Sequence, residues 1–190
     1  MAERLQQETI PLRKISDFKS KLTGGGARPN LFEVVLAFPS TVAPVNENEV
    51  LQKSRFLVKA AALPASTIAP IDIPFRGRIL KIAGDRTFEN WNITVIQESS
   101  MEVRNSFERW LNGINEHVNG TGLVNPVDYQ ADMLVEQLDR NDNVIKSVNI
   151  RGAFPVNLGA VELSYETTDA LAEYTIEWAY QYWESAGVTS

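Results

Sequence analysis

Three features of the 190-residue sequence predict a mainly β protein. The expected fold is an antiparallel β-sandwich or barrel with one flanking α-helix and a short N-terminal helical arm. Strand-like alternation of apolar and polar residues recurs along the chain, most clearly over residues 32–38, 91–95 and 171–182. Only one stretch, residues 99–114, carries the period of a substantial amphipathic helix. Hydrophobic residues make up 44% and charged residues 22%, which supports a real core and excludes wholesale disorder.

The elements follow in order. In residues 10–22, Leu12, Ile15, Phe18 and Leu22 fall near helical spacing, with Pro11 suited to a first turn and Gly24 to Gly26 suited to a stop. This predicts an amphipathic arm, residues 1–26, on a glycine hinge. Such a short helix is marginal alone and should order on an adjacent surface. The main domain, residues 27–190, opens with a strand that places Phe32, Val34, Leu36 and Phe38 on one face. Residues 39–54, polar and holding two prolines, read as a long loop, and residues 55–63 as a second strand. Residues 64–79 combine Pro64, Pro70 and Pro74 with Ile68, Ile71, Ile73 and Phe75, followed by Arg76 and Arg78. Prolines exclude a central strand. The apolar content is too high for a free linker, so an extended loop lying on another surface is expected.

A turn at Gly84, Asp85 and Arg86 should return this segment to the sheet: glycine permits positive φ, Asp85 can bond the turn, and Arg86 can fork onto a carboxylate. Phe88 and Trp91 would anchor the return, and Trp91, Ile93 and Val95 begin a third strand. Ser99 and Glu102 have capping-box spacing. Beyond them Val103, Phe107, Trp110, Leu111 and Ile114 make one helix face, suited to cover a sheet. After a loop, residues 129–139 and 143–151 flank a hairpin turn, residues 152–159 read as a tight connection, and residues 160–166 and 171–184 flank a second hairpin. The total is six or seven strands.

No chemistry-bearing constellation emerges. Without cysteine there is no disulfide, thiolate zinc site or cysteine nucleophile. The single histidine, His117, sits in a polar loop. Gly24 to Gly26 lack the Lys-Ser/Thr of a phosphate-binding loop. Asp139, Asn141 and Asn143 resemble the start of a calcium loop, but Val144 and Ile150 stand where glycine and glutamate are required. No pair of carboxylates has a spacing that favours glycoside hydrolysis. Catalytic, cofactor and metal residues are therefore expected to be none. No apolar run approaches the ~20 residues of a membrane span, so no membrane insertion is expected. The net charge of -6 is uneven: residues 152–190 contain no Lys, Arg or His, yet hold Glu162, Glu166, Asp169, Glu173, Glu177 and Glu184. Sequence-general nucleic-acid binding needs the reverse.

The runs "ARPNLFEV", "KAAALPAS", "RILKIAGDRTFENWNITV", "IRGAFPVNLGAVELSYE" and "YQYWE" resemble the tail tube protein of contractile-tailed bacteriophages. The most specific element is the run from Ala83 to Phe88 with its downstream Trp91. The resemblance covers residues 27–184; the arm and the 39–54 loop are longer than it leads one to expect. It implies a β-sandwich or barrel protomer, hexameric rings stacked into a hollow tube within a contractile sheath, and adjoining sheets continuous around the lumen. DNA would pass through without specific binding. The partners it implies are the chain itself, sheath, baseplate and tail terminator, in a virion tail assembled in the bacterial cytoplasm. Under that reading Ile68, Ile71, Ile73, Phe75, Arg76 and Arg78 form an inter-subunit or inter-ring loop. Glu162, Glu166, Glu173 and Glu177 form an acidic lumen face, with Tyr174, Ile176 and Trp178 turned to the core beside Val161, Leu163 and Tyr165. The rivals are a tube of a phage-derived contractile injection system, a carbohydrate-binding β-sandwich module and a hydrolase.

Overall fold

The computed structural model describes residues 14–22 and 26–185. Pro11, Leu12, Gly24 and Gly25, invoked for the arm, lie outside them. Among the described residues, nine strands and four helices follow one another: α1 (Ile15–Lys21), β1 (Phe32–Val35), α2 (Glu47–Leu57), β2 (Val58–Ala61), β3 (Thr67–Phe75), β4 (Arg78–Thr87), β5 (Trp91–Ile96), α3 (Glu102–Ile114), α4 (Pro126–Tyr129), β6 (Ala131–Leu138), β7 (Val144–Leu158), β8 (Glu173–Ala179) and β9 (Tyr182–Ser185). Seven strands form one antiparallel sheet in the order β1-β6-β7-β8-β5-β2, with β9 also on β7. β3 and β4 form a separate two-stranded ribbon.

The core follows from the alternations in the sequence. Val34 and Leu36, then Trp91, Ile93 and Val95, then Tyr174, Ile176 and Trp178 are all buried. β5 and β8 pair in register, with Trp91 opposite Trp178 and Ile93 opposite Ile176. Helix α3 closes the face as expected, burying Val103, Phe107 and Trp110. Phe107 and Trp110 meet the Trp178 ring edge-on at centroid distances of 5.7 and 5.3 Å. Phe38 packs on the same two residues at 5.6 and 5.4 Å. The Trp110 indole donates to the Tyr129 carbonyl at 2.8 Å, so its buried N–H is satisfied.

Several expectations are corrected. Residues 39–54 are not all loop, because α2 begins at Glu47, after the second proline has been passed. α2 buries Val50 and Ser54, four apart, and carries Glu47 and Glu49 in its first turn. It takes up Arg55 to Leu57, so the second strand shrinks to β2 and Phe56 is left exposed. Lys53 ties α2 to α3, bonding Glu102 and, at 2.8 Å, Glu49. Those two carboxylates hold its pKa above the ordinary lysine range, the Glu102 bond first. The Ser99–Glu102 capping box does not form: the residue before α3 is Met101 at φ 58°, and Glu98 accepts the Val103 N–H at 2.8 Å instead.

The largest correction concerns residues 152–172. They were expected to hold a tight connection and half of a hairpin. Instead β7 runs through to Leu158. Its first part pairs β6 on one side and β9 on the other, and its last part pairs β8, with Phe154 opposite Ala179 and Leu158 opposite Ile176. β7 thus occupies the flank of β8 that residues 160–166 were expected to take. With β5 on its other flank, β8 has no edge left for them, and residues 160–172 form a loop. The final alternation is also broken. β8 and β9 lie along the same side of β7, and the break at Tyr180 and Gln181 faces Gly152. Gly152 has φ 62°, which favours glycine, and a Cβ there would stand 2.9 Å from Gln181 Cγ, so that side chain would have to shift. Asp132 fixes the bend, accepting the Gly152 N–H at 2.9 Å and pairing with Arg151 at 2.6 Å.

Two outcomes are expected. Phe107→Ala should cost about 3–5 kcal/mol of folding stability in a urea titration, as truncation of a buried aromatic does. Asp132 should titrate below its ordinary 3.8: burial opposes ionisation, but the Gly152 and Arg151 bonds outweigh it. A depressed carboxylate stabilises the fold above its unfolded pKa, and that contribution is lost as pH falls through the folded value. An NMR titration midpoint for Asp132 above 3.8 would contradict the described bend.

Candidate assembly surface

Residues 67–87 were expected to be an extended loop and a turn; they form a ribbon. Two alternations, Ile71-Ile73-Phe75 and Leu80-Ile82, meet across a tight turn at Arg76 and Gly77. Both turn residues have positive φ, 46° and 80°, as a two-residue type I′ hairpin requires. The register opposes Ile71 to Ile82, Ile73 to Leu80 and Phe75 to Arg78. Ile71, Ile73, Phe75, Leu80 and Ile82 therefore share one face. Ile68 has the opposite parity and lies across from Arg86, off that face. The reverse face carries the Asp72–Lys81 ion pair at 2.8 Å. Arg76 covers the Phe75 ring at 5.3 Å, and Arg78 begins β4 directly opposite it.

Proline is compatible with a strand here because the ribbon is two-stranded. Pro70 and Pro74 are four residues apart and have the same orientation, and the ladder continues past both. Their missing donors therefore face the outer edge of β3, which blunts that edge against a further strand. What the ribbon offers a partner is its face.

Gly84, Asp85 and Arg86 do not form the expected turn, and Gly84 is not in the positive-φ region. They lie within β4, where the register shifts opposite Ala69. A Cβ on Gly84 would stand 2.5 Å from the Ala69 carbonyl oxygen, so glycine serves a close backbone approach at a bulge. Phe88 and Trp91 lie where the chain returns to the sheet. Trp91 is buried and donates from Nε1 to the Ala62 carbonyl at 2.6 Å, and Phe88 packs on Tyr180 at 5.9 Å. Sequence reasoning missed two contacts here: Tyr180 Oη and Trp183 Nε1 both donate to the Ala65 carbonyl, at 3.4 and 3.3 Å. The segment leading into the ribbon is thus tied to the core, chiefly by the Trp91 bond at Ala62 and more weakly at Ala65, while the ribbon's length is not. Every residue of β3 is exposed, and the five apolar side chains of the common face are 41% (Ile73) to 65% (Phe75) exposed. A contiguous apolar face held out from the core marks an interaction site.

The acidic residues are only partly brought together. Glu173 and Glu177 share the outward face of β8 with Thr175, opposite buried Tyr174, Ile176 and Trp178. Asn92 and Thr94 lie beside them on β5. Lys59 pairs with Glu173, and Asn90 donates to Glu177 at 2.8 Å. Glu162 and Glu166 lie on the 160–172 loop rather than on a strand beside β8, because the hairpin that would have aligned them does not form; Glu162 still lines the same groove as Glu173. The same loss leaves Leu163 and Tyr165 exposed rather than in the core. His117 is exposed. Asp139 accepts the Asn141 and Asn143 N–H groups at 2.7 and 2.9 Å, capping the β6–β7 turn. No described helix is long and apolar enough to cross a membrane.

Residues 27–186 match the family model described as phage tail tube protein. The chain is 30% identical to the tail tube protein gp19 of Enterobacteria phage T4 over 163 residues, covering 85% of this chain and 93% of that protein. It is 32% identical to the tail tube protein of Serratia phage KSP90 over 168 residues, covering 87% and 93%. Among solved structures, it resembles a chain of the anti-feeding prophage baseplate (TM-score 0.62, 15% identity, 87% of this chain and 98% of that one). It also resembles a chain of the PVC extracellular contractile injection system sheath–tube complex (TM-score 0.56, 13% identity, 87% and 95%). At these identities the structures establish a common fold.

The ribbon face can be separated from folding. Ile71→Asp with Phe75→Asp should change the urea midpoint of the isolated protomer by no more than about 0.5 kcal/mol equivalent, as exposed substitutions do. A loss comparable to that of Phe107→Ala would mean that the ribbon belongs to the core.

Proposed function

Because the chain belongs to the phage tail tube protein family, a structural component of contractile phage tails, we propose that it assembles into stacked hexameric rings forming the inner tube through which DNA leaves the virion. The role is structural, not enzymatic. The observation that carries the assembly reading is the ribbon. Among the described residues its apolar face is left exposed, and its base is tied to the core. We assign that face to a neighbouring protomer across the ring-to-ring junction. Sheath, baseplate and tail terminator are the further partners, and assembly takes place in the bacterial cytoplasm.

Ring closure has its own requirement. β1 and β2 are the two ends of the seven-stranded sheet, and among the described residues neither has a strand on its outer side. Pairing or covering these edges between neighbours satisfies them, and a closed ring does so for every copy at once.

For the lumen, the outward face of β5 and β8 is the better candidate, narrowed from the four glutamates to Glu173 and Glu177. It is polar, and its one lysine, Lys59, is engaged by Glu173. Duplex DNA carries one negative charge per ~1.7 Å, so a wall of carboxylates and amides gives it nothing to bind. Screening over ~8 Å at physiological salt keeps the repulsion local to the wall.

Negative-stain microscopy tests the assembly. The unmodified chain should form tubes, and Ile71→Asp with Phe75→Asp should leave folded protomers without tubes. Normal tubes from that variant would remove the ribbon from the junction. Glu173→Lys with Glu177→Lys should permit tubes but slow DNA ejection from particles; ejection at the normal rate would remove this face from the lumen.

A further inference from the structure

Helix α1 lies outside the part of the chain that matches the family model, which begins at residue 27. It buries none of its residues, and Ile15, Phe18 and Leu22 are 88%, 65% and 44% exposed. At helical spacing these three form one stripe. Lys14 and Lys21 flank it on one side and Lys19 on the other, while Ser16, Asp17 and Ser20 fall on the back. Its complement is an acidic-rimmed apolar groove.

A groove of mixed lining lies beneath the 160–172 loop. Its volume is about 930 Å³, and Leu163, Tyr165 and Leu171 line it beside Thr94, Thr167 and Thr175, with Glu162 and the Lys59-paired Glu173 as its acids. Leu163, Tyr165 and Leu171 are among the most exposed large apolar side chains of the described chain. Glu166 and Asp169 lie on the same loop, and residues 152–190 supply no basic side chain to neutralise them. The groove takes in Thr94, Glu173 and Thr175 at one end of the β5–β8 face, so a helix seated in it covers that end of the proposed lumen wall; Asn92 and Glu177, farther along the same strands, stay clear of it. The other unpartnered apolar surface, the ribbon, is a poor match for α1 because it carries Arg76, Arg78, Lys81 and Arg86.

We propose that α1 of one copy docks in the groove beneath the 160–172 loop of a second copy, its Ile15-Phe18-Leu22 stripe on Leu163, Tyr165 and Leu171 and its lysines on Glu162 and Glu166. A second copy is the occupant because α1 stands free of its own body while that body's groove lies open. This rests on the tube reading: stacked rings bring many copies of arm and groove together. The arm then acts as a strap between protomers that is separate from the ribbon.

The chain has no cysteine, so introduced thiols report contact cleanly. Tubes are assembled from equal amounts of Phe18→Cys and Leu163→Cys chains, oxidised, and run on a non-reducing gel. The expected result is a linked dimer that neither variant forms alone. Adding Lys19→Glu and Lys21→Glu to the first chain should cut its yield about fivefold, the scale of two exposed ion pairs, and Glu162→Lys with Glu166→Lys on the other should restore it. Tubes with no mixed dimer overturn the docking and leave the tube reading intact. So does a chain carrying both thiols that closes on itself as a monomer. An unmodified chain that forms no tubes overturns the tube reading and the docking with it.

Discussion

The packing of Trp178 against α3 is the interaction on which the rest of the molecule depends. Trp178 lies on β8, which has a strand on each flank, and its ring takes Phe107 and Trp110 edge-on. Directly across the ladder is Trp91, whose indole holds the Ala62 carbonyl. One buried aromatic group therefore fixes the helix, the centre of the sheet and the segment that leads into the ribbon. Each buried aromatic contributes a few kcal/mol, and aromatic pairs of this geometry add about 0.5–1.5 kcal/mol beyond the area they bury.

With the core settled on one side of the sheet, two features are left to face outward. The β5–β8 outer face is polar and can remain in water. The ribbon cannot be explained in the same way: five large apolar side chains are aligned by cross-strand register and held from a base tied to the core. Pro70 and Pro74 deny the outer edge of β3 to another strand, which leaves the ribbon's apolar face open. Rigidity at the base and apolarity along the length are what a repeated subunit contact needs, since a preorganised element loses little entropy on docking.

Much of the fold was legible because buried strands and the α3 stripe write their period into the sequence. Trp91-Ile93-Val95 and Val103-Phe107-Trp110 need no further context. What was not legible depended on partners distant in the chain. Nothing local says that β7 would extend past Gly152 and take the flank of β8, so residues 160–166, which alternate like a strand, end as a loop. Glu162 and Glu166 are therefore not aligned in a ladder with Glu173 and Glu177. α2 was hidden by the prolines before it, although Val50 and Ser54 stand one helical turn apart. For the ribbon, the prolines of β3 correctly excluded a central strand. The alternation of Leu80 and Ile82 beyond Arg76-Gly77 was the signal for its partner. Gly84 was read as a turn, but its reason is the Ala69 carbonyl, a contact made only once the two strands pair.

Completion of the ribbon face by another copy of the chain would be visible in a cryo-electron microscopy reconstruction of assembled protein. Stacked rings are expected in which Ile71, Ile73, Phe75, Leu80 and Ile82 are buried against the next protomer. Tubes in which those five side chains face solvent would contradict it.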